Sequence, residues 1–188
     1  QTAQRGAGRS AAAFGGGMLR GVPVWVWRLL MRVMRRGELA RFNSEPIEGV
    51  DHYDDIDFVG DGIRAHRLDV IAPSRQAASG AAQPLPVYVY FHGGGWTSGD
   101  KSALTKYCAS QAVAGMVVVN VNYRMATRFQ MSHMLEDANA ALAWIGRSIA
   151  RFGGDPERIV LGGDSAGGQI AALVTAASFQ PELAKHYG

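Results

Sequence analysis

Ser165 lies in the run Gly162-Gly163-Asp164-Ser165-Ala166-Gly167-Gly168, directly after the apolar stretch Arg158 to Leu161. A serine hydroxyl is a weak nucleophile at neutral pH, so it must be held clear of the fold and given a base. A sharp strand-to-helix turn meets the first need. Such a turn strains the nucleophile's backbone and crowds its neighbours, which calls for small residues two positions before and two after. Gly163 and Gly167 fill those positions. Ile159, Val160 and Leu161 read as a short buried strand, and Ala166 to Ala177 is rich in Ala, Leu and Ile at helical spacing. The helix start favours negative charge developing near Ser165, with the Ala166 amide as one oxyanion donor. The expected chemistry is acyl transfer through Ser165.

A second motif supplies the other side of such a site. Pro86-Val87-Tyr88-Val89-Tyr90-Phe91 reads as a β-strand that runs into His92-Gly93-Gly94-Gly95-Trp96. Consecutive glycines let backbone amides approach a substrate oxygen without side chains in the way. Gly93 and Gly94 are the expected donors, with Gly95, Gly163, Asp164 and Gly167 supporting the two turns. His92 is expected to shape its loop rather than act as the base, because in this arrangement the catalytic histidine follows the serine in the chain.

With these motifs the chain resembles the hormone-sensitive-lipase-like esterases and related carboxylesterases of the α/β-hydrolase superfamily. The likeness spans about residues 65 to 178. It is carried by His92 to Trp96, by Asn122-Tyr123-Arg124, by Phe152-Gly153-Gly154-Asp155-Pro156 with Arg158-Ile159, and by Gly163 to Gly168. Leu68-Asp69-Val70 and Gly99-Asp100-Lys101 also resemble xylan acetylesterases, feruloyl esterases and arylformamidases. Gln169 stands where many members have Asn, and Met125-Ala126-Thr127-Arg128 replaces a Leu-Ala-Pro-Glu-like run, which leaves subfamily and substrate open. The resemblance implies an α/β-hydrolase fold, a mostly parallel doubly wound sheet, and a serine carboxylic-ester hydrolase acting through an acyl-enzyme on small to medium esters. Two alternatives stand beside it: a non-catalytic hydrolase-like binding module, and an amidase or arylformamidase-type relative.

The resemblance also sets an expectation about length. In this fold an acid and then a histidine follow the serine, and three further βα units of about 30 residues, roughly 90 in all, would precede the last partner. The chain has 188 residues. It is therefore expected to be incomplete at the C-terminal end, inactive alone, and to leave the strand before Ser165 as an open edge. His186 is rejected as the base.

The order of elements agrees with an α/β fold. Asp55 to Phe58 and Ala65 to Ile71 read as strands around the turn Gly60-Asp61-Gly62, and Pro73 helps to end the second. A helix over about Leu104 to Ala114, an apolar strand over Met116 to Val121 and a long helix near Ser132 to Ala150 follow. Strands alternating with helices place active-site loops at the strands' carboxyl ends. Residues 1–50 are assigned to an N-terminal segment with an amphipathic helix, and 51–188 to the N-terminal part of the hydrolase domain.

Composition is that of an ordinary globular protein: 47% apolar, 19% charged, net charge +3. Much of the positive charge is early, at Arg5, Arg9, Arg20, Arg28, Arg32, Arg35 and Arg36. No interleaved basic and aromatic surface points to nucleic acid. Val22 to Met34 is apolar but too short to span a bilayer and is broken by Arg28 and Arg32. Trp25, Leu29 and Val33 would lie opposite the arginines on a helix, packed over the core as a lid or cap; contact of residues 22–36 with a membrane surface is the alternative. Charge running through this segment, with no clear cleavage site, argues against a signal peptide. Compartment stays open, with the cytoplasm preferred, and so does oligomeric state.

Other chemistries fit less well. Gly94 to Ser102 approaches a phosphate-binding loop, but Asp100 would repel phosphate. His52, His66, His92, His133 and His186 lack the close pairing of zinc sites, so no metal and no cofactor is expected. Cys108 reads as a small core residue. Glu136 and Asp137 are adjacent on a helix and are expected to point apart, in surface or interhelical salt bridges. Arg124 could bind a substrate carboxylate or form a structural ion pair, and Trp96 could line a pocket or sit in the core.

Overall fold

The computed structural model describes residues 23, 25, 26, 28–30, 32, 33, 47–74, 83–180, 182 and 185. Five strands form one sheet: β1 (Val50–Asp57), β2 (Arg67–Pro73), β3 (Leu85–Phe91), β4 (Val117–Val121) and β5 (Gly154–Gly163). Three helices pack on it: α1 (Thr105–Val113), α2 (Met131–Ser148) and α3 (Ala166–Phe179). The spatial order is β1-β2-β4-β3-β5. β1 and β2 run antiparallel to each other, and β2 runs antiparallel to β4. The β4, β3 and β5 strands are parallel, the arrangement that helical crossovers produce.

Period-two alternation divides the strands' side chains between two layers. Val87, Val89 and Phe91 of β3, with Val117, Val119 and Val121 of β4, join Ala138, Ala141 and Ile145 of α2 and Ile170 and Val174 of α3 in the larger core. Tyr90, Val118 and Ile71 point to the other face and pack with Cys108, Ala109 and Ala112 of α1. All five β4 residues are buried, as expected of a strand covered on both faces.

Several elements differ from their sequence outlines. β1 begins at Val50 rather than Asp55, and its register shifts between Tyr53 and Ile56 where Asp55 adopts φ 54°. A bulge of this kind suits an outer strand. A short 3-10 turn over Arg64–His66 precedes β2. β5 extends from Gly154 to Gly163, well beyond the four residues Arg158 to Leu161, and is the outermost described strand on its side.

The register between β3 and β5 positions the site. Tyr90 pairs with Gly162 and Phe91 with Gly163, so the two carboxyl ends stop level. The glycine loop beginning at His92 and the turn containing Ser165 therefore emerge side by side.

Candidate active site

Ser165 adopts φ 48° and ψ −112° at the N-terminus of α3 and is exposed. This is the left-handed region, which a non-glycine residue occupies only when its surroundings force it. The forcing contacts are visible at the flanking glycines. A Cβ on Gly163 would strike the Phe91 carbonyl oxygen and lie 2.6 Å from the Gly167 carbonyl carbon; one on Gly167 would also strike the Phe91 oxygen and lie 2.7 Å from that of His92. The turn is thus pressed against the end of β3 with no room for side chains. Gly167 donates its amide to the Asp164 carbonyl at 2.8 Å, which closes the first turn. No described residue hydrogen-bonds to the Ser165 hydroxyl.

The glycine loop is tied down at several points. The Gly94 carbonyl accepts from the amides of Thr97 (3.3 Å) and Ser98 (3.1 Å) and from the Ser98 hydroxyl (3.0 Å). Gly94 and Gly95 both have positive φ, at 132° and 60°. His92 is 1% exposed, its ring stacked on Tyr123 with centroids 4.5 Å apart, and the Tyr123 hydroxyl donates to the His92 carbonyl at 2.5 Å. His92 Nδ1 lies 2.8 Å from the Gly93 carbonyl. This packing is that of a residue shaping its loop.

Gly93 requires a correction. Its amide donates to Asp164 Oδ1 at 2.6 Å, so its single N–H is directed at a carboxylate and not at a substrate oxygen. The amides of Gly94, Gly95 and Ala166 have no hydrogen-bond acceptor among the described residues. Asp164 Oδ1 also accepts from the Tyr90 hydroxyl at 2.8 Å. Sequence reasoning missed Tyr90, which had only the alternation of its strand to mark it.

Lys101 is 4% exposed, with Nζ 2.5 Å from Asp69 and 2.8 Å from Asp55. Its backbone is held by Asn122 Oδ1, which accepts its amide at 2.7 Å, and by Asn120, which donates to its carbonyl at 2.5 Å. A lysine buried this way is a brace behind the glycine loop and not a phosphate ligand. Burial pushes the Asp69 carboxyl above its ordinary value, against the pull of Lys101. The cue in the sequence was a lone aspartate within an apolar strand.

Arg124 is an ion-pair residue. It reaches Asp137 at 2.6 Å and Glu136 at 2.9 Å and donates to the His133 carbonyl at 3.2 Å. Asp137 also accepts the Arg124 amide at 2.7 Å, and it pairs with His66 at 3.1 Å. The two carboxylates thus converge on one guanidinium, contrary to the expectation that they point apart, and Asp137 is buried, not on the surface. The Asp137 partnership raises the Arg124 pKa.

Trp96 is 38% exposed with φ 59°, which removes it from the core. Cys108 is fully buried. Trp25, Val26, Arg28–Leu30, Arg32 and Val33 are helical. There the apolar face does not pack on the described residues: Trp25, Leu29 and Val33 are 66%, 53% and 60% exposed. Arg28 instead donates to the carbonyls of Ala126 (2.9 Å) and Thr97 (3.3 Å). His186 and, within the N-terminal segment, residues 1–22 and 34–46 lie outside the described residues. A cavity of about 510 Å³ opens beside the turn between Tyr88, Tyr90, Tyr107, Leu104, Gly163 and Asp164; Ser165 is not among its walls.

A strand, a strained serine and a helix N-terminus facing a glycine loop together make the strand-turn-helix element of an α/β-hydrolase fold. The chain belongs to the alpha/beta hydrolase fold family, whose model matches residues 88–185. Among curated relatives it is 45% identical over 91 residues to the carboxylesterase NlhH of Mycobacterium tuberculosis, covering 48% of this chain and 28% of that one. It is 33% identical over 130 residues to the esterase LipQ of the same organism, covering 66% and 29%. Among solved structures, esterase B of Lactobacillus rhamnosis superposes with a TM-score of 0.80 at 25% identity over 88% of this chain and 51% of that one. A bacterial heroin esterase gives 0.67 at 27% identity, over 90% and 51%. The chain therefore spans about half the length of these solved relatives.

Proposed function

We propose that this chain carries the nucleophile and the oxyanion-binding part of a serine carboxylic-ester hydrolase. The observation that carries the reading is Ser165: exposed, in the left-handed region, at a helix N-terminus, and level with a loop that offers two unengaged amides. Ser165 Oγ attacks the ester carbonyl carbon, and the carbonyl oxygen takes on negative charge. The amides of Gly94, Gly95 and Ala166 receive that charge, and the N-terminal end of α3 adds a favourable field. Collapse of the tetrahedral intermediate expels the alcohol and leaves an acyl-enzyme, which water then hydrolyses. The hydroxyl proton needs an acceptor. No described histidine bonds to Ser165: His92 is packed on Tyr123, His133 accepts the Gln130 amide in the cap of α2, and His66 sits between Asp61 and Asp137. In the complete enzyme a histidine oriented by an Asp or Glu takes that role.

The test compares the 188-residue chain with the complete enzyme on a short-chain chromogenic ester, each with a Ser165→Ala control. The complete enzyme is expected to turn over the ester and to take an organophosphonate on Ser165, while the 188-residue chain shows little turnover. A complete enzyme inert to both reagents would refute the reading.

A further inference from the structure

Asp164 sits between the two segments that must cooperate in holding an oxyanion. One oxygen, Oδ1, accepts both the Gly93 amide at 2.6 Å and the Tyr90 hydroxyl at 2.8 Å. A Cβ on Gly93 would run into the Asp164 carboxyl group and lie 2.8 Å from its carbonyl oxygen, so the loop rests flush on the turn. Tyr90 comes from the middle layer of the molecule, packed with Cys108 and Ala109 of α1, and its hydroxyl gives the carboxylate a fixed reference in the sheet. An anion next to Ser165 does not help a reaction that builds negative charge there. Its presence calls for a compensating role, and the two donors that converge on it indicate which one.

We propose that Asp164 is a positioning residue: its carboxylate, oriented by Tyr90, sets the gap between the Gly94 and Gly95 amides on one side and the Ala166 amide on the other. The role rests on the esterase reading of Ser165. Oxyanion donors act only within hydrogen-bond distance of where the charge appears, and losing one costs about 10²–10³-fold in kcat. Releasing the Gly93 end of the loop is equivalent to misplacing the two amides that follow it. Because the gap matters most in the transition state, the loss belongs in kcat and not in KM.

The experiment uses the complete enzyme with Asp164→Ala, Asp164→Asn and Tyr90→Phe. Asp164→Ala is expected to lower kcat roughly 10²-fold with KM changed less than about threefold. Asp164→Asn keeps an acceptor oxygen in place and is expected to restore kcat to within about tenfold of the parent, with Tyr90→Phe between the two. Hydrogen exchange at the Gly93 amide should quicken in Asp164→Ala and stay slow in Asp164→Asn, a pattern that a general loss of stability would not give. If the parent is active and Asp164→Ala keeps kcat within about threefold, or if asparagine restores neither kcat nor protection, the positioning role is overturned alone. A parent inert toward ester and phosphonate alike overturns the esterase reading and this role with it.

Discussion

Replacing Lys101 with methionine keeps the aliphatic stem in place and removes the charge that faces Asp69 and Asp55. The two acids differ in surroundings: the Asp69 side chain is 7% exposed and that of Asp55 is 60% exposed. For Asp55 the loss is that of a surface pair, below about 1 kcal/mol. Asp69 is left as a buried charge without its cation, and breaking such a pair costs about 3–5 kcal/mol. The cost should depend on pH. Burial already holds the Asp69 carboxyl above its ordinary value, and the Lys101 bond pulls it back; without that bond it rises further. A group whose pKa is raised in the folded state binds more protons there than in the unfolded state, so its stability contribution is present in acid and is lost as pH rises through the folded value. Lys101→Met should therefore be tolerated better at about pH 5 than at about pH 8. Urea unfolding at the two pH values measures this. The double variant Lys101→Met, Asp69→Leu should recover all but about 1 kcal/mol, the residue reflecting the Asp55 amide that donates to Asp69. A cost below about 1 kcal/mol at neutral pH, or one unchanged between the two conditions, would refute the argument.

Three other outcomes follow from the geometry. Gly167→Ala puts a methyl group into the Phe91 and His92 carbonyls and should destabilise the chain by at least about 1–3 kcal/mol, read as a lowered urea midpoint. Cys108 is fully buried and burial raises its thiol pKa, so a thiol-specific reagent should label it only after denaturant is added; fast native labelling would contradict the packing against α1's side of the sheet. The Asp57 carboxylate accepts the Gly60 amide at 2.6 Å and the Gly62 amide at 2.7 Å, which lowers its pKa. Its contribution is present above the unfolded value and lost as pH falls through the folded one, so Asp57→Asn should flatten the loss of stability in acid below about pH 4.

The turn at Ser165 and the loop at His92 were legible because both are built from glycines whose spacing is imposed by backbone contact. Gly163, Gly167 and Gly93 have no space for a Cβ, and that requirement is written in residue type alone. The direction of the Gly93 amide was not legible, since it depends on where a carboxylate 71 positions away settles. Asp137 and Glu136 were misjudged for a related reason: adjacent helical positions do diverge, but one long arginine reaches both. β5 looked short because Asp155 and Pro156 interrupt its apolar run, and the proline is accommodated because it falls where the pairing with β3 shifts register between Gly154 and Ile159. Periodicity revealed an apolar stripe on the N-terminal helix, yet a stripe does not say which side docks, and Arg28 supplied the contact instead.

The nucleophile is mounted like the tip of a cantilever. β5 is braced by β3 along one flank, while among the described residues its other flank meets no strand. Rigidity at Ser165 thus depends on what leans against a strand two positions upstream of the turn. Anything that lies along that free flank stiffens the mount, and whatever loosens it lets the serine swing relative to the glycine loop. Contacts far from any substrate atom would in this way set how often the site is aligned.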